Sequence, residues 1–162
     1  MVLSKILKPI KGGIGFGLTS GIITTIGLMV GVYFSTKSFL SVIGSILSIA
    51  FADAFSDSFA THIAEEAKNE EKRNIKLSVI STFFTKLFSA LIFIIPFFIF
   101  EMQLAIMVNI LIGFCLLVFY SYLIAKQNNS SVLYTIFEHS IIMIAALIVS
   151  YFLGSMINSY FG

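Results

Sequence analysis

Charged residues are scarce in this chain. Asp, Glu, Lys and Arg make up 11% of its 162 residues, whereas an ordinary soluble domain carries roughly a quarter. That shortage excludes a soluble domain of this length. Cysteine is nearly absent too: Cys115 stands alone inside an apolar run, which excludes a disulfide framework. Arginine occurs once, as Arg73, and no basic patch marks a surface for nucleic acid. The net charge of +2 carries little message of its own.

What fills the sequence instead is apolar. Hydrophobic residues reach 58% and the mean hydropathy is +1.02. They gather into blocks of about 20 residues or more, the length a helix needs to cross a hydrocarbon core at about 1.5 Å per residue. The expected fold is an all-α integral membrane protein, one transmembrane domain over residues 1–162 with the lipid bilayer as its solvent. Five spans are expected, at about 12–35, 39–63, 77–100, 104–125 and 135–160, with a charged segment at 64–76. The opening "MVLSKILKPIKGG" carries lysines as a signal peptide does. The apolar run behind it is too long for a signal core and no small-residue cleavage site follows, so the first span is expected to be retained. No organelle-targeting extension is visible, which makes a prokaryotic plasma membrane the expected location.

Orientation follows from the basic residues. With the N-terminus in the cytoplasm, that side holds Lys5, Lys8, Lys11, Lys68, Lys72, Arg73, Lys76 and Lys126, while the other holds Lys37 and one span holds Lys86. Such a bias is the positive-inside pattern. The N-terminus is expected inside and the C-terminus outside.

The first span is rich in glycine. Gly13, Gly17 and Gly21 recur every four residues, followed by Gly27 and Gly31. Small residues at that spacing form a groove in which another helix backbone can approach closely. A helix seam is expected there, with a partner in the same chain or in a second protomer, although glycine is also simply common in membrane helices. "GIGFG" is not a dinucleotide fingerprint, because no strand precedes it. Thr19, Ser20, Thr24 and Thr25 share this helix. Hydroxyls in membrane helices often bond back to the carbonyl one turn earlier, but four within seven residues also suit a polar lining.

The second span runs into the charged segment as "SIAFADAFSDSFATHIAEEAKNEEKR". Small and polar residues (Ser41, Ser45, Ser48, Ala52, Ser56 and Ala60) form a stripe flanked by Asp53 and Asp57. At i, i+4 the two carboxylates share a face about 6 Å apart. An ionised carboxylate at membrane depth costs at least about 2.5 kcal/mol, and two adjacent ones repel. A positive partner is therefore required: a bound cation, a proton or a basic side chain. Counted from the cytoplasmic ends, Asp53 and Asp57 lie about 15 and 9 Å deep and Lys86 about 13 Å deep, so Lys86 is the basic candidate. The three suit a structural ion cluster that locks helices, and equally a cation or proton site whose charge Lys86 adjusts.

Beyond Asp57 the helix is expected to leave the membrane. His62 and Glu66 are an i, i+4 pair, and Glu65, Glu70 and Glu71 add carboxylates. Imidazole with carboxylate suits transition metals, so these five residues form a candidate cytoplasmic metal-recruiting site. Interleaved with Lys68, Lys72, Arg73 and Lys76, they also read as a solvated helix end. Glu138 and His139 are adjacent in sequence and point apart on a helix, which argues against joint chelation.

"GLTSGIITTIGLMVGVY", "SIAFADAFSDSFATHIAEEAK" and "AALIVSYFLGSMI" together resemble the vacuolar iron transporter (VIT) family, as a divergent short member. The resemblance implies five spans, a cytoplasmic N-terminus, and a homodimer whose first and second helices line the pathway. It also implies proton-coupled export of Fe²⁺ or a similar divalent metal from the cytoplasm, with the metal as substrate and no cofactor. Where the family has an Asp-Gly pair in the first span, this chain has Ser20 and Gly21. Where the family has a Met in the second span, this chain has Asp57 after Ser56, and Asp53 stands where a small residue is usual. Loss of a sulfur ligand argues for harder ions such as Mn²⁺ or Mg²⁺, or for protons.

The expected function is thus transport of a divalent cation of the Fe²⁺/Mn²⁺ type. Asp53, Asp57 and Ser56 would hold the ion, Ser20, Thr24 and Thr19 would be neutral oxygen ligands, and Lys86 would be the charge partner. Two alternatives stand beside it. One is a non-transporting membrane subunit in which the ionic cluster fixes packing. The other is a metal-dependent phosphatidyl-transferase, since "DAFSD" has that spacing. The Asp-Gly…Ala-Arg element such enzymes need is missing from "SIAFA", so no enzyme activity is expected.

Overall fold

The computed structural model describes residues 2–162, with side chains from residue 7 onward; Lys5 lies outside those side chains. The helices are α1 (Val2–Thr36), α2 (Phe39–Ala67), α3 (Lys72–Leu91), α4 (Pro96–Ile99), α5 (Met102–Gln127) and α6 (Val132–Phe161), with a 3₁₀ turn at Ile92–Ile94 between α3 and α4. No strand occurs among the described residues. Five helical segments there are long and apolar enough to cross a membrane, α3 and α4 together making the third. Large apolar side chains stand exposed all round the perimeter, Leu40, Phe59, Phe88, Phe98 and Leu133 among them. Water would not tolerate so continuous an apolar surface, and hydrocarbon does.

Each connection has a local cause. Lys37 adopts φ 51° after α1 and its amide donates to the Tyr33 carbonyl at 2.9 Å, the left-handed turn that closes a helix end. Ser38 then caps α2, its side chain accepting from the Ser41 amide at 3.2 Å, so two residues suffice between the helices. Asn69 and Asn129 take the same left-handed conformation after α2 and α5, which asparagine tolerates best after glycine.

The third span runs over Lys72–Ile99 and is interrupted near its end. Pro96 has no N–H to donate to Ile92, so the Ile92 carbonyl accepts from Ile95 at 3.2 Å in a 3₁₀ turn. The Phe93 carbonyl takes its bond from the Asn109 side chain on α5, at 2.8 Å.

α1 is the hub. It touches α2, α3, α5 and α6, and 56% of its apolar window is buried against 11% for α6. Ile22, Ile26, Met29 and Val30 pack with Val42 and Ile46 of α2, Phe93 and Phe97, Ile106 and Leu117 of α5, and Met143 of α6. The glycine face of α1 packs against α3. A Cβ on Gly13 would strike the Ser78 carbonyl and Ser81, and one on Gly21 would strike Ser89. A Cβ on Gly17 would lie 2.8 Å from the Thr82 carbonyl oxygen and 3.1 Å from the Lys86 nitrogen. Of the two partners the sequence left open for this seam, the structure supplies the one in the same chain. The close approach it permits positions the site described next.

Candidate functional site

Lys86 enters the interior from α3 and is 1% exposed. Its Nζ lies 2.5 Å from Asp57 Oδ2 and 2.9 Å from Asp53 Oδ2 on α2. It also donates to the Ser20 hydroxyl of α1 at 2.6 Å. Ser20 Oγ in turn donates to Asp57 Oδ2 at 2.9 Å. Three helices therefore meet in a small polar ring at Lys86, Asp57 and Ser20, with Asp53 beside it. The two carboxylates are not equivalent: Asp57 Oδ2 accepts two hydrogen bonds, whereas Asp53 Oδ2 pairs with Lys86 by charge, outside hydrogen-bond alignment, and has no other partner.

Local sequence explains the meeting. On α2 the buried line is Val42, Ile46, Ala50, Ala54 and Ser58. Ala50 and Ala54 are small and pack with Leu87 and Ala90 of α3, which lets these two helices come together beside the aspartates. One turn further along α2, Thr61 donates to the Asp57 carbonyl at 2.8 Å, and its oxygen lies 3.3 Å from the Thr82 hydroxyl of α3. With all groups ionised, two carboxylates and one ammonium leave the cluster at −1. The carboxylate side chains remain 23% and 19% exposed, so Lys86 seals them on one side and leaves another side open.

The other expected ligands lie elsewhere. Thr19 donates to the Gly15 carbonyl at 2.8 Å and Thr24 to the Ser20 carbonyl at 2.9 Å, the back-bonding habit of hydroxyls in helices. Thr19 lines a cavity beside α5 and Thr24 a groove beside α6; this corrects their expected place among the carboxylates. Ser56 sits on the exposed outer face of α2, with the small stripe of Ser48, Ala52 and Ala60.

The charged segment is spread out along its helix end. His62 and Glu66 are 3.7 Å apart and both well exposed. Glu65 binds Lys68 at 2.8 Å, and that hydrogen bond with its charge raises the Lys68 ammonium above the usual lysine value. Glu70 accepts from Asn74 at 3.2 Å, and Glu71 stands at the start of α3 without a side-chain cap bond. Among the described residues no three of His, Cys, Asp and Glu converge on a common point. The donor set at the intramembrane cluster is thus two carboxylates and one hydroxyl, with no sulfur and no imidazole.

Sequence reasoning missed several polar contacts. Asn109 is fully buried and holds the Phe93 carbonyl. Ser121 pairs with His139 Nδ1 at 2.7 Å. Each is a lone polar residue in an apolar run, and only its three-dimensional partner reveals its use. No protein-family model, no curated protein and no solved structure matches this chain.

Proposed function

We propose that this chain is a proton-coupled membrane carrier of a divalent cation, with Asp53, Asp57 and Ser20 as the cation site and Lys86 as its resident competitor. The observation that carries the reading is the uneven charge of the cluster. At membrane depth a residual −1 costs on the order of 2.5–3.5 kcal/mol, and a proton or a cargo cation cancels it. In the unloaded carrier Lys86 and one added proton neutralise the two carboxylates. An incoming divalent ion repels the ammonium, which sheds its proton, and the added proton leaves as well. Two protons then cross against one divalent ion, and both states of the site are neutral.

An all-oxygen donor set suits hard ions such as Mg²⁺ and Mn²⁺ and lacks the sulfur that selects softer ones. The resemblance to the vacuolar iron transporter family supports a homodimer exporting its ion from the cytoplasm. The bias of the lysines supports a cytoplasmic N-terminus. A packing role for the cluster is favoured by one feature, the near-complete burial of Lys86 with its two hydrogen bonds, and it predicts that Asp57→Asn loses the fold.

Proteoliposomes decide between them. Mn²⁺, Fe²⁺ and Mg²⁺ are supplied outside with a pH dye inside, for the natural protein and for Asp57→Asn. Carriage predicts metal-driven proton movement, two protons per ion, that a clamped membrane potential does not alter and that a folded Asp57→Asn protein lacks. Folded natural protein that moves none of the ions would sink the carrier.

A further inference from the structure

At the end of the bundle where α1 begins and α5 ends, a second polar site opens. A cavity of about 680 Å³ lies between α1, the end of α5 and the start of α6. Its polar lining is Lys8, Lys11, Tyr120, Gln127, Asn128 and His139, with Thr19 deeper in. Every full charge on this lining is positive, and no carboxylate is among the residues that form it. The neighbouring groove is mixed in charge, lined by Lys68, Glu65, Glu70 and Glu71 together with Lys8, which borders both concavities.

The histidine on this lining is held by a neighbour on α5. Ser121 has one hydroxyl proton, which it gives to the Leu117 carbonyl at 2.6 Å. Toward His139 Nδ1, 2.7 Å away, that oxygen can then only accept, so Nδ1 carries a proton and donates. His139 is thereby fixed in orientation where it lines the cavity. Two glycines keep the space open. A Cβ on Gly15 would collide with the Tyr120 hydroxyl, whereas one on Gly12 would meet nothing within 4 Å.

We infer that this cavity binds a phosphate-ester anion. Two ammonium groups on one helix face supply the charge, and the side-chain amides and the Tyr120 hydroxyl supply directional donors. Leu7, Phe16 and Ile124 complete the wall with apolar surface, suited to the organic part of the ester. Basic pockets between membrane helices at the headgroup level take phosphate in this way. The same chemistry is offered by an anionic lipid headgroup and by a soluble phosphate ester.

The test uses the whole protein in a neutral detergent, with thermal stability read against three probes. These are dioctanoyl phosphatidylglycerol, dioctanoyl phosphatidylcholine and glycerol phosphate. Saturable stabilisation is expected with phosphatidylglycerol, at a concentration roughly tenfold below any effect of phosphatidylcholine. If glycerol phosphate alone saturates the site, the natural ligand is a soluble ester; if only the lipid does, it is a headgroup. In either case Gly12→Leu, which fills open space and alters no charge, is expected to abolish the effect. Lys8→Gln with Lys11→Gln is expected to weaken it roughly tenfold or more, and Lys72→Gln, the same kind of charge loss outside the lining, to leave it within about twofold. Equal response to both lipids, no saturable response to any probe, or weakening by Lys72→Gln as large as by the double variant would overturn the assignment. If Gly12→Leu does not fold, the two lysine comparisons decide alone.

Discussion

Replacing Lys86 with Met keeps the volume and removes the charge from a cluster in which it is the sole cation. Both aspartate oxygens that contact its nitrogen lie within 2.9 Å of it, so they stand no more than about 6 Å from one another. Two bare carboxylates at that separation repel by about 3 kcal/mol at an effective dielectric of 20. The loss of a buried ion pair by truncating one partner typically costs about 3–5 kcal/mol, and the same range is expected here. The aspartates should respond unequally. Asp57→Asn removes the carboxylate that accepts two hydrogen bonds and is expected to cost about 2–3 kcal/mol; Asp53→Asn removes an unaligned contact and is expected to cost about 1 kcal/mol. Combined with Lys86→Met, Asp57→Asn should recover about 2 kcal/mol, because it removes the charge that the missing ammonium left uncompensated. Reversible unfolding in mixed micelles, followed by circular dichroism, measures these four variants against the natural protein. A Lys86→Met protein within about 0.5 kcal/mol of the natural one, or a double variant less stable than Lys86→Met alone, would refute the reasoning.

In flux assays Lys86→Met should bind Mn²⁺ more tightly than the natural protein, since the resident competitor is gone; a half-saturation that rises instead contradicts competition. Gly17→Leu drives a side chain into the Thr82 carbonyl and the Lys86 backbone and is expected to lose at least about 1–3 kcal/mol, whereas Gly44→Ala, with nothing within 4 Å, should gain about 0.5–1 kcal/mol. The same unfolding measurement checks both. Asn109→Leu leaves the Phe93 carbonyl without its 2.8 Å donor and should cost about 1–3 kcal/mol. For orientation, a cysteine at Glu70 in a chain lacking Cys115 should react with an impermeant thiol reagent only from the cytoplasmic face, and one at Lys37 only from the other.

Much of the architecture was legible because hydrocarbon permits so few spanning structures: an apolar block of sufficient length has little choice but helix. The interruption at Ile92–Ile94 was harder to read, since Pro96 lies in a run whose hydropathy does not change there. In the candidate site, depth along two helices allowed Lys86 to meet the aspartates, and the i, i+4 spacing placed those on one face. Ser20 was distinguished from Thr19 and Thr24 only by the rotation of α1, which the packing of Gly17 and Gly21 on α3 sets. Sequence gave the glycine face but not its partner, because small residues announce closeness without saying to what. The basic cavity was invisible for a similar reason: Lys8 lies more than a hundred residues from Gln127 and His139.

The pairing of α2 with α3 also has a consequence for how the chain is made. When α2 first reaches the membrane it carries Asp53 and Asp57, and the ammonium that pairs with them arrives 29 residues after Asp57. Two unpaired carboxylates would each penalise insertion by on the order of 2.5–3.5 kcal/mol. The second helix is therefore expected to linger at the insertion machinery until the third emerges, and the two then enter the lipid together. A nascent chain stopped just before Lys72 should leave its second segment less fully inserted than one extended past Lys86. Lys86→Met should narrow that difference, so the same ammonium would act first as an escort during synthesis and only later at the finished site.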